Sequence, residues 1–199
     1  MKSLRLMGLL AGTCLLSTVA FAEPAGLPAP VISKCQTCHG AAGDSTSGAV
    51  PRLNGQRAGY IAKRLNDFLN VASEDPHSMK AMWPVVSEVS NDTFAAIGRY
   101  YASQSPTDSH PAGPLAAAGR SIYASGIAAQ EIKSCQMCHG SQGEGSETAP
   151  RLAGQHAEYL TSQLQRLRLF TRASDPMFHN ARTMTDEQIR ALVAYLATN

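Results

Sequence analysis

The sequence predicts an all-α protein assembled from two similar halves. Three observations carry the prediction. Apolar residues recur at helical spacing, with no convincing stretch of the alternating polarity that marks a half-buried strand. Blocks of sequence return in the same order further down the chain. A stretch dense in Pro, Ser and Gly separates the two copies.

The chain opens with a segment expected to be removed. Lys2 and Arg5 precede an apolar run from Leu6 to Leu16, and Ala20-Phe21-Ala22 forms an A-x-A cleavage site. The apolar run is shorter than the roughly 20 residues that a membrane span requires. Residues 1–22 therefore read as a cleaved export signal, with the mature chain starting at Glu23. A lipid anchor at Cys14 is the competing reading, but Thr13 stands where such sites carry a small Gly or Ala.

The repeat comes next. CQTCHG from Cys35 returns as CQMCHG from Cys135 at an offset of 100, and PRLNGQRAGY from Pro51 returns as PRLAGQHAEY from Pro150 at 99. SNDTFAAIGRYY from Ser90 aligns with TDEQIRALVAYL from Thr185 at 95. The offset drifts as loops shorten, while the order of blocks is kept. Two copies are too few for a solenoid, so each half is expected to be its own domain. The expected domains are 23–104 and 115–199, joined by a linker over 105–114 within SQSPTDSHPAGP.

Within each half the helices can be placed. Ile61, Leu65, Phe68 and Leu69 form one apolar stripe, and Leu160, Leu164 and Leu167 form its counterpart. The last helix of each half starts at a polar cap, Ser90 or Thr185, and Thr185 with Gln188 makes a capping box. Ile189, Leu192, Val193 and Leu196 then line one face. The halves differ at their starts. AAAGRSIYASGIAAQEIKSC has room for a leading helix, whereas EPAGLPAPVISKC carries three prolines, so the first helix of the N-terminal half is expected to be short or missing.

Composition excludes some functions. Without Lys2 and Arg5 the mature chain has 15 basic and 15 acidic residues, so nothing marks a nucleic-acid surface. Aromatic residues make up only 6% of the chain, so part of the core is expected to come from something other than amino acids. Four cysteines remain after Cys14 is removed, and all four lie in the two C-x-x-C-H motifs. Unoccupied pairs would oxidise in an exported compartment.

C-x-x-C-H is the attachment signature of a c-type haem. Two cysteines one helical turn apart can form thioethers to one porphyrin edge, and the next residue then offers its imidazole to the iron. Cys35 and Cys38, and Cys135 and Cys138, are the expected thioether pairs, with His39 and His139 as iron ligands. A four-cysteine zinc site would place its two pairs much closer together. A thioredoxin-like pair would sit in a βαβ setting, which the helical pattern lacks. Two covalently bound haem c groups are therefore expected.

The sixth iron ligand decides between electron transfer and chemistry at iron. Met79, Met82 and His77 are candidates in the first half, and Met177, Met184 and His179 in the second. Counted back from the caps Ser90 and Thr185, Met82 and Met177 occupy equivalent positions, whereas Met79 falls opposite Ser174 and Met184 opposite Val89. Met82 and Met177 are the expected ligands, and Met184 the expected core residue. Trp83, the only Trp, directly follows Met82, where it would shield that haem from water.

Taken together, CQTCHG and CQMCHG, the doubled P-R-L-x-G-Q blocks followed by Tyr, and the Met–Ser/Thr–helix endings resemble the two-domain di-haem cytochromes c of the c4 class. The resemblance covers nearly all of the mature chain, and its doubled P-R-L-x-G-Q block is far more specific than C-x-x-C-H. It implies two tandem class I cytochrome c domains, each wrapped around one covalently attached haem with His/Met iron. It implies that the Pro51 and Pro150 carbonyls receive the N–H of the two iron-binding imidazoles. Arg52 and Arg151 are implied as propionate contacts, and Tyr60 and Tyr159 as packing on the haem edge or the core. The implied role is a periplasmic electron carrier, soluble or membrane-associated, between a respiratory donor and a terminal oxidase or similar acceptor, with no catalytic residue of its own. Two alternatives stay open: a cytochrome subunit of a dehydrogenase complex, and a di-haem redox enzyme.

Overall fold

In the computed structural model of the 199-residue chain, residues 27, 29–70, 75–111, 113–172 and 175–198 are described. The expected export signal, 1–22, lies outside them. The N-terminal half contains α1 (Ala29–His39), α2 (Ala58–Leu69), α3 (Pro76–Val86) and α4 (Phe94–Ala102). The C-terminal half contains α5 (Gly113–Ser125), α6 (Gln136–His139), α7 (Ala157–Arg168), α8 (Asp175–Ala181) and α9 (Asp186–Leu196). Among the described residues the sole sheet is a two-residue parallel pair, β1 (Gln155–His156) on β2 (Ala197–Thr198). The all-α expectation holds, and α5 takes in Gly113 and Pro114, the last two residues of the expected linker.

The apolar stripes do what their spacing requires. Ile61, Leu65 and Phe68 of α2 are buried with Val86, Phe94, Ile97 and Tyr101 in one core. Leu160 and Leu167 of α7 are buried with Ile189, Leu192, Val193 and Leu196 of α9 in a second core. Each core draws its residues from one half. The start of α9 is held by the capping box: Gln188 N–H donates to Thr185 Oγ1 at 3.2 Å and Thr185 N–H donates to Gln188 Oε1 at 2.9 Å. At the matching position of the first half Thr93 replaces Gln188 and cannot reach back. A 3-10 turn at Asn91–Thr93 therefore leads into α4, with Thr93 Oγ1 donating to the Ser90 carbonyl at 2.6 Å.

The halves also differ where the leader sequences do. In the C-terminal half, α5 is a separate helix that crosses α9 closely, and Gly119 faces the Ala191 carbonyl oxygen at the crossing. In the N-terminal half, α1 serves as leader and C-x-x-C-H helix at once, with Pro30 tolerated in its first turn. No helix precedes it among the described residues, and α4 packs mainly across α2.

The segment between α4 and α5 is pinned at the junction of the halves. Asn54 Nδ2 donates to the Ser105 carbonyl at 2.9 Å and to Thr107 Oγ1 at 3.0 Å. On the other side, Gly154 at φ 77° has the Thr107 carbonyl where a side chain would begin, so only glycine fits there.

A methyl group at 119 would overlap the Ala191 carbonyl. Gly119→Ala should therefore destabilise the C-terminal half by about 2 kcal/mol, seen in guanidinium unfolding as a lower midpoint at unchanged slope.

Candidate haem sites and the junction between them

Cys35 and Cys38 lie one turn apart on α1, and Cys135 caps α6 one turn before Cys138. In each pair the first cysteine is half-buried and the second exposed, and none of the four is in a disulfide. Burial pushes the Cys35 thiol up and the Cys135 thiol up to about 11. A thiol–disulfide catalyst needs the reverse, a stabilised thiolate.

His39 and His139 are 6% and 5% exposed. His39 Nδ1 lies 2.8 Å from the Pro51 carbonyl oxygen, and His139 Nδ1 lies 2.9 Å from that of Pro150. A carbonyl only accepts, so each Nδ1 carries the proton and donates it. Burial lowers both imidazole pKa values, opposed in part by these carbonyls, so both rings are neutral at pH 7. A neutral ring anchored at Nδ1 presents Nε2 as a ligand, which is the donor a haem iron takes. Thiols one turn apart followed by such an imidazole fit a covalently attached haem in each half.

The remaining expected residues are distributed unevenly. Met82 on α3 and Met177 on α8 are half-buried and pack on their respective cores. Met79, one turn before Met82, packs on the same core. Met184 is 5% exposed within the second core, as expected of an ordinary apolar residue. His77 and His179 are exposed, and Trp83 is 46% exposed at the surface. Arg52 donates through Nε to Asp44 at 2.9 Å and through Nη1 to the Gly154 carbonyl at 2.8 Å. Arg151 donates through Nε to the Ala153 carbonyl at 3.1 Å. Tyr60 accepts from Arg172 Nη2 at 2.9 Å, across the junction. Burial beside Tyr60 raises the Tyr159 phenol.

The P-R-L-x-G-Q blocks build that junction, and sequence reasoning gave their glutamines no role. Gln155 Oε1 accepts the Arg52 N–H at 2.9 Å, and Gln155 Nε2 donates to the Arg52 carbonyl at 3.1 Å. Gln56 repeats this on the other half, accepting the Arg151 N–H at 2.7 Å and donating to the Arg151 carbonyl at 3.0 Å. Both side chains are buried, at 7% for Gln56 and 6% for Gln155. The contacts are reciprocal, as in an isologous interface. The signal in the sequence was the survival of Gly-Gln in both copies. His156 completes the junction, with Nε2 at 2.9 Å from both the hydroxyl and the carbonyl oxygen of Ser45.

Comparison with known proteins agrees with this geometry. A family profile described as Cytochrome c matches residues 116–199. Cytochrome c4 of Thiocapsa roseopersicina is 32% identical over 168 residues, covering 81% of this chain and 85% of that protein. The chain belongs to the cytochrome c4 family. It is also 36% identical over 182 residues to the thiosulfate dehydrogenase electron acceptor of Stutzerimonas stutzeri, covering 84% of this chain and 80% of that one. The solved cytochrome c4 of Acidithiobacillus ferrooxidans superposes with a TM-score of 0.76 at 33% identity, covering 82% of this chain and 97% of that chain. As a cytochrome c4 the chain is a di-haem electron carrier with class I cytochrome c domains, and its C-x-x-C-H motifs hold two covalently bound haems.

Burial, and then the Arg52 guanidinium, lower the His156 pKa, against the pull of the Ser45 carbonyl, Asp44 and Glu158. The folded pKa lies below the unfolded value of about 6.5, so the unfolded chain binds protons first as pH falls. Stability from this group is complete above about pH 6.5 and is lost on acidification. In urea unfolding of the haem-loaded protein, the loss between about pH 7.5 and about pH 5.5 should be smaller in His156→Gln than in wild type. The comparison separates His156 from the other histidines.

Proposed function

We propose that the iron at Cys35 and Cys38 is ligated by His39 and Met82, and the iron at Cys135 and Cys138 by His139 and Met177. The observation that carries this reading is the pair of buried, neutral imidazoles whose Nδ1–H is committed to a proline carbonyl in both halves. When bound, each haem supplies a one-electron couple. In this reading His39 and His139, each anchored by its proline carbonyl, and the Met82 and Met177 thioethers would hold the iron, and the burial and hydrogen bonding of these groups would set its potential. The domains are assigned to 23–104 and 115–199. Arg52 and Arg151 are assigned to the haem propionates; both line the cleft at the junction, and guanidinium suits carboxylate.

The chain is exported to the periplasm after loss of residues 1–22, and it passes electrons from a respiratory donor to a terminal oxidase or similar acceptor. No described helix is long and apolar enough to cross a membrane, and any membrane association in this reading is peripheral. A second reading is favoured by one relative: 36% identity to a thiosulfate dehydrogenase electron acceptor supports a role as the acceptor for a dehydrogenase. Stopped-flow reduction by a thiosulfate-oxidising dehydrogenase, set beside reduction by a quinol-oxidising complex, separates the two donors.

The ligand assignment is tested by the far-red sulfur-to-iron charge-transfer band of the oxidised protein, scaled to total haem. Wild type should show two Met-ligated haems per chain. Met82→Ala and Met177→Ala should each lose about half of the band, whereas Met79→Ala, on the same face of α3, should keep it whole. Loss of half the band in Met79→Ala would move the assignment to Met79.

A further inference from the structure

We propose that each domain sets the basicity of the other domain's iron-binding histidine, and that Gln155 and Gln56 are the positioning residues that do so. The inference rests on the assignment of His39 and His139 as iron ligands.

The geometry turns on a single peptide unit. The Pro51 carbonyl, which accepts from His39 Nδ1 at 2.8 Å, and the Arg52 N–H, which donates to Gln155 Oε1 at 2.9 Å, are the two ends of the same amide. An amide is polarised through its C–N resonance. Donation from its N–H shifts electron density onto its oxygen, and the oxygen becomes a better acceptor. Gln155 belongs to the C-terminal domain and His39 to the N-terminal one. The mirror arrangement links Gln56 through the Arg151 N–H and the Pro150 carbonyl to His139, at 2.7 and 2.9 Å.

Three features make this more than an interface contact. First, Gln155 and Gln56 are buried, so water does not replace them at the amide. Second, the orientation of each side-chain amide is determined. Gln155 Oε1 accepts from both Arg52 N–H and His156 N–H, while Nε2 donates to the Arg52 carbonyl, and a flip would break all three bonds. Gln56 does the same with Arg151 N–H, Arg57 N–H and the Arg151 carbonyl. Third, the residue that acts lies in the opposite half at both sites, so the crossing is a property of the fold.

The consequence has a sign. A stronger proline acceptor pulls the Nδ1 proton, makes the imidazole a stronger donor through Nε2, and favours ferric iron. Removing the glutamine should raise the potential of the haem in the other domain. Cooperative strengthening of about 10–30% on one hydrogen bond corresponds to about threefold in the ferric-to-ferrous equilibrium. By 59 mV per tenfold for one electron, that is about 28 mV.

The test is a redox titration of the holoprotein in which each haem is followed by the NMR signals of its own thioether protons. Gln155→Leu should raise the potential of the haem at Cys35 by about threefold in its equilibrium and leave the haem at Cys135 near wild type. Gln56→Leu should do the converse. In the ferrous state, the His39 Nδ1–H resonance should move upfield in Gln155→Leu while that of His139 stays in place. Equal shifts at both haems, a shift at the haem of the mutated domain, or an unmoved Nδ1–H resonance would overturn the proposal. If Gln155→Leu fails to fold, Gln155→Glu keeps the acceptor and loses the donor to the Arg52 carbonyl. Its carboxylate should then move the His39 Nδ1–H resonance downfield, and an upfield shift or none would count against the relay. The ligation reading is checked separately. In the ferric wild type the His39 and His139 ring signals must be paramagnetically shifted, and without that shift the ligand assignment fails rather than the relay.

Discussion

The peptide unit between Pro51 and Arg52, with its counterpart between Pro150 and Arg151, carries two obligations at once. Its carbonyl must face a buried imidazole, and its N–H must face the other half of the molecule. Proline suits the first position because it fixes its own φ and has no N–H to satisfy in a crowded loop. The residue after it then supplies the donor that the opposite glutamine takes. Disturbing this unit leaves a buried amide group unpaired at a cost of about 1–3 kcal/mol, and also releases the imidazole proposed as an iron ligand. The imidazoles proposed as iron ligands and the domain junction thus depend on the same few atoms.

Around this shared element the two halves solve their packing differently. The C-terminal half has a full leading helix, α5, which crosses α9 so tightly that residue 119 must be glycine. Among the described residues no helix precedes α1 in the N-terminal half, and its last helix lies across α2 instead. Its buried Asp75 is paired with Arg64 of its own half at 2.9 Å, and Arg172 of the other half approaches it at 3.6 Å. Buried polar groups, the reciprocal glutamine clasps among them, join the two halves. Exposed pairs such as Arg57 with Glu147, also across the junction, add little by comparison.

For an electron carrier, this design has a use. Its means of control are ligation, burial and the hydrogen bonds behind the ligands. A junction whose hydrogen bonds end on the proline amides puts one of these means under the control of domain docking.

Much of this molecule was legible in one dimension. The spacing of Ile61, Leu65 and Phe68, and of Ile189, Leu192, Val193 and Leu196, determined two helices and their buried faces, because helical periodicity is a local property. The Thr185–Gln188 capping box was legible for the same reason, and C-x-x-C-H joined chemistry to spacing within five residues. Ser90 read like Thr185 but lacks its partner, since a cap depends on the residue three positions on. What only the tertiary structure decided lies between residues about 100 apart. The sequence showed Gly-Gln twice but not that Gln155 belongs to His39 and Gln56 to His139. That crossing follows from how two folded halves dock, and docking is set by the shape and polarity of complete surfaces, which no local pattern encodes.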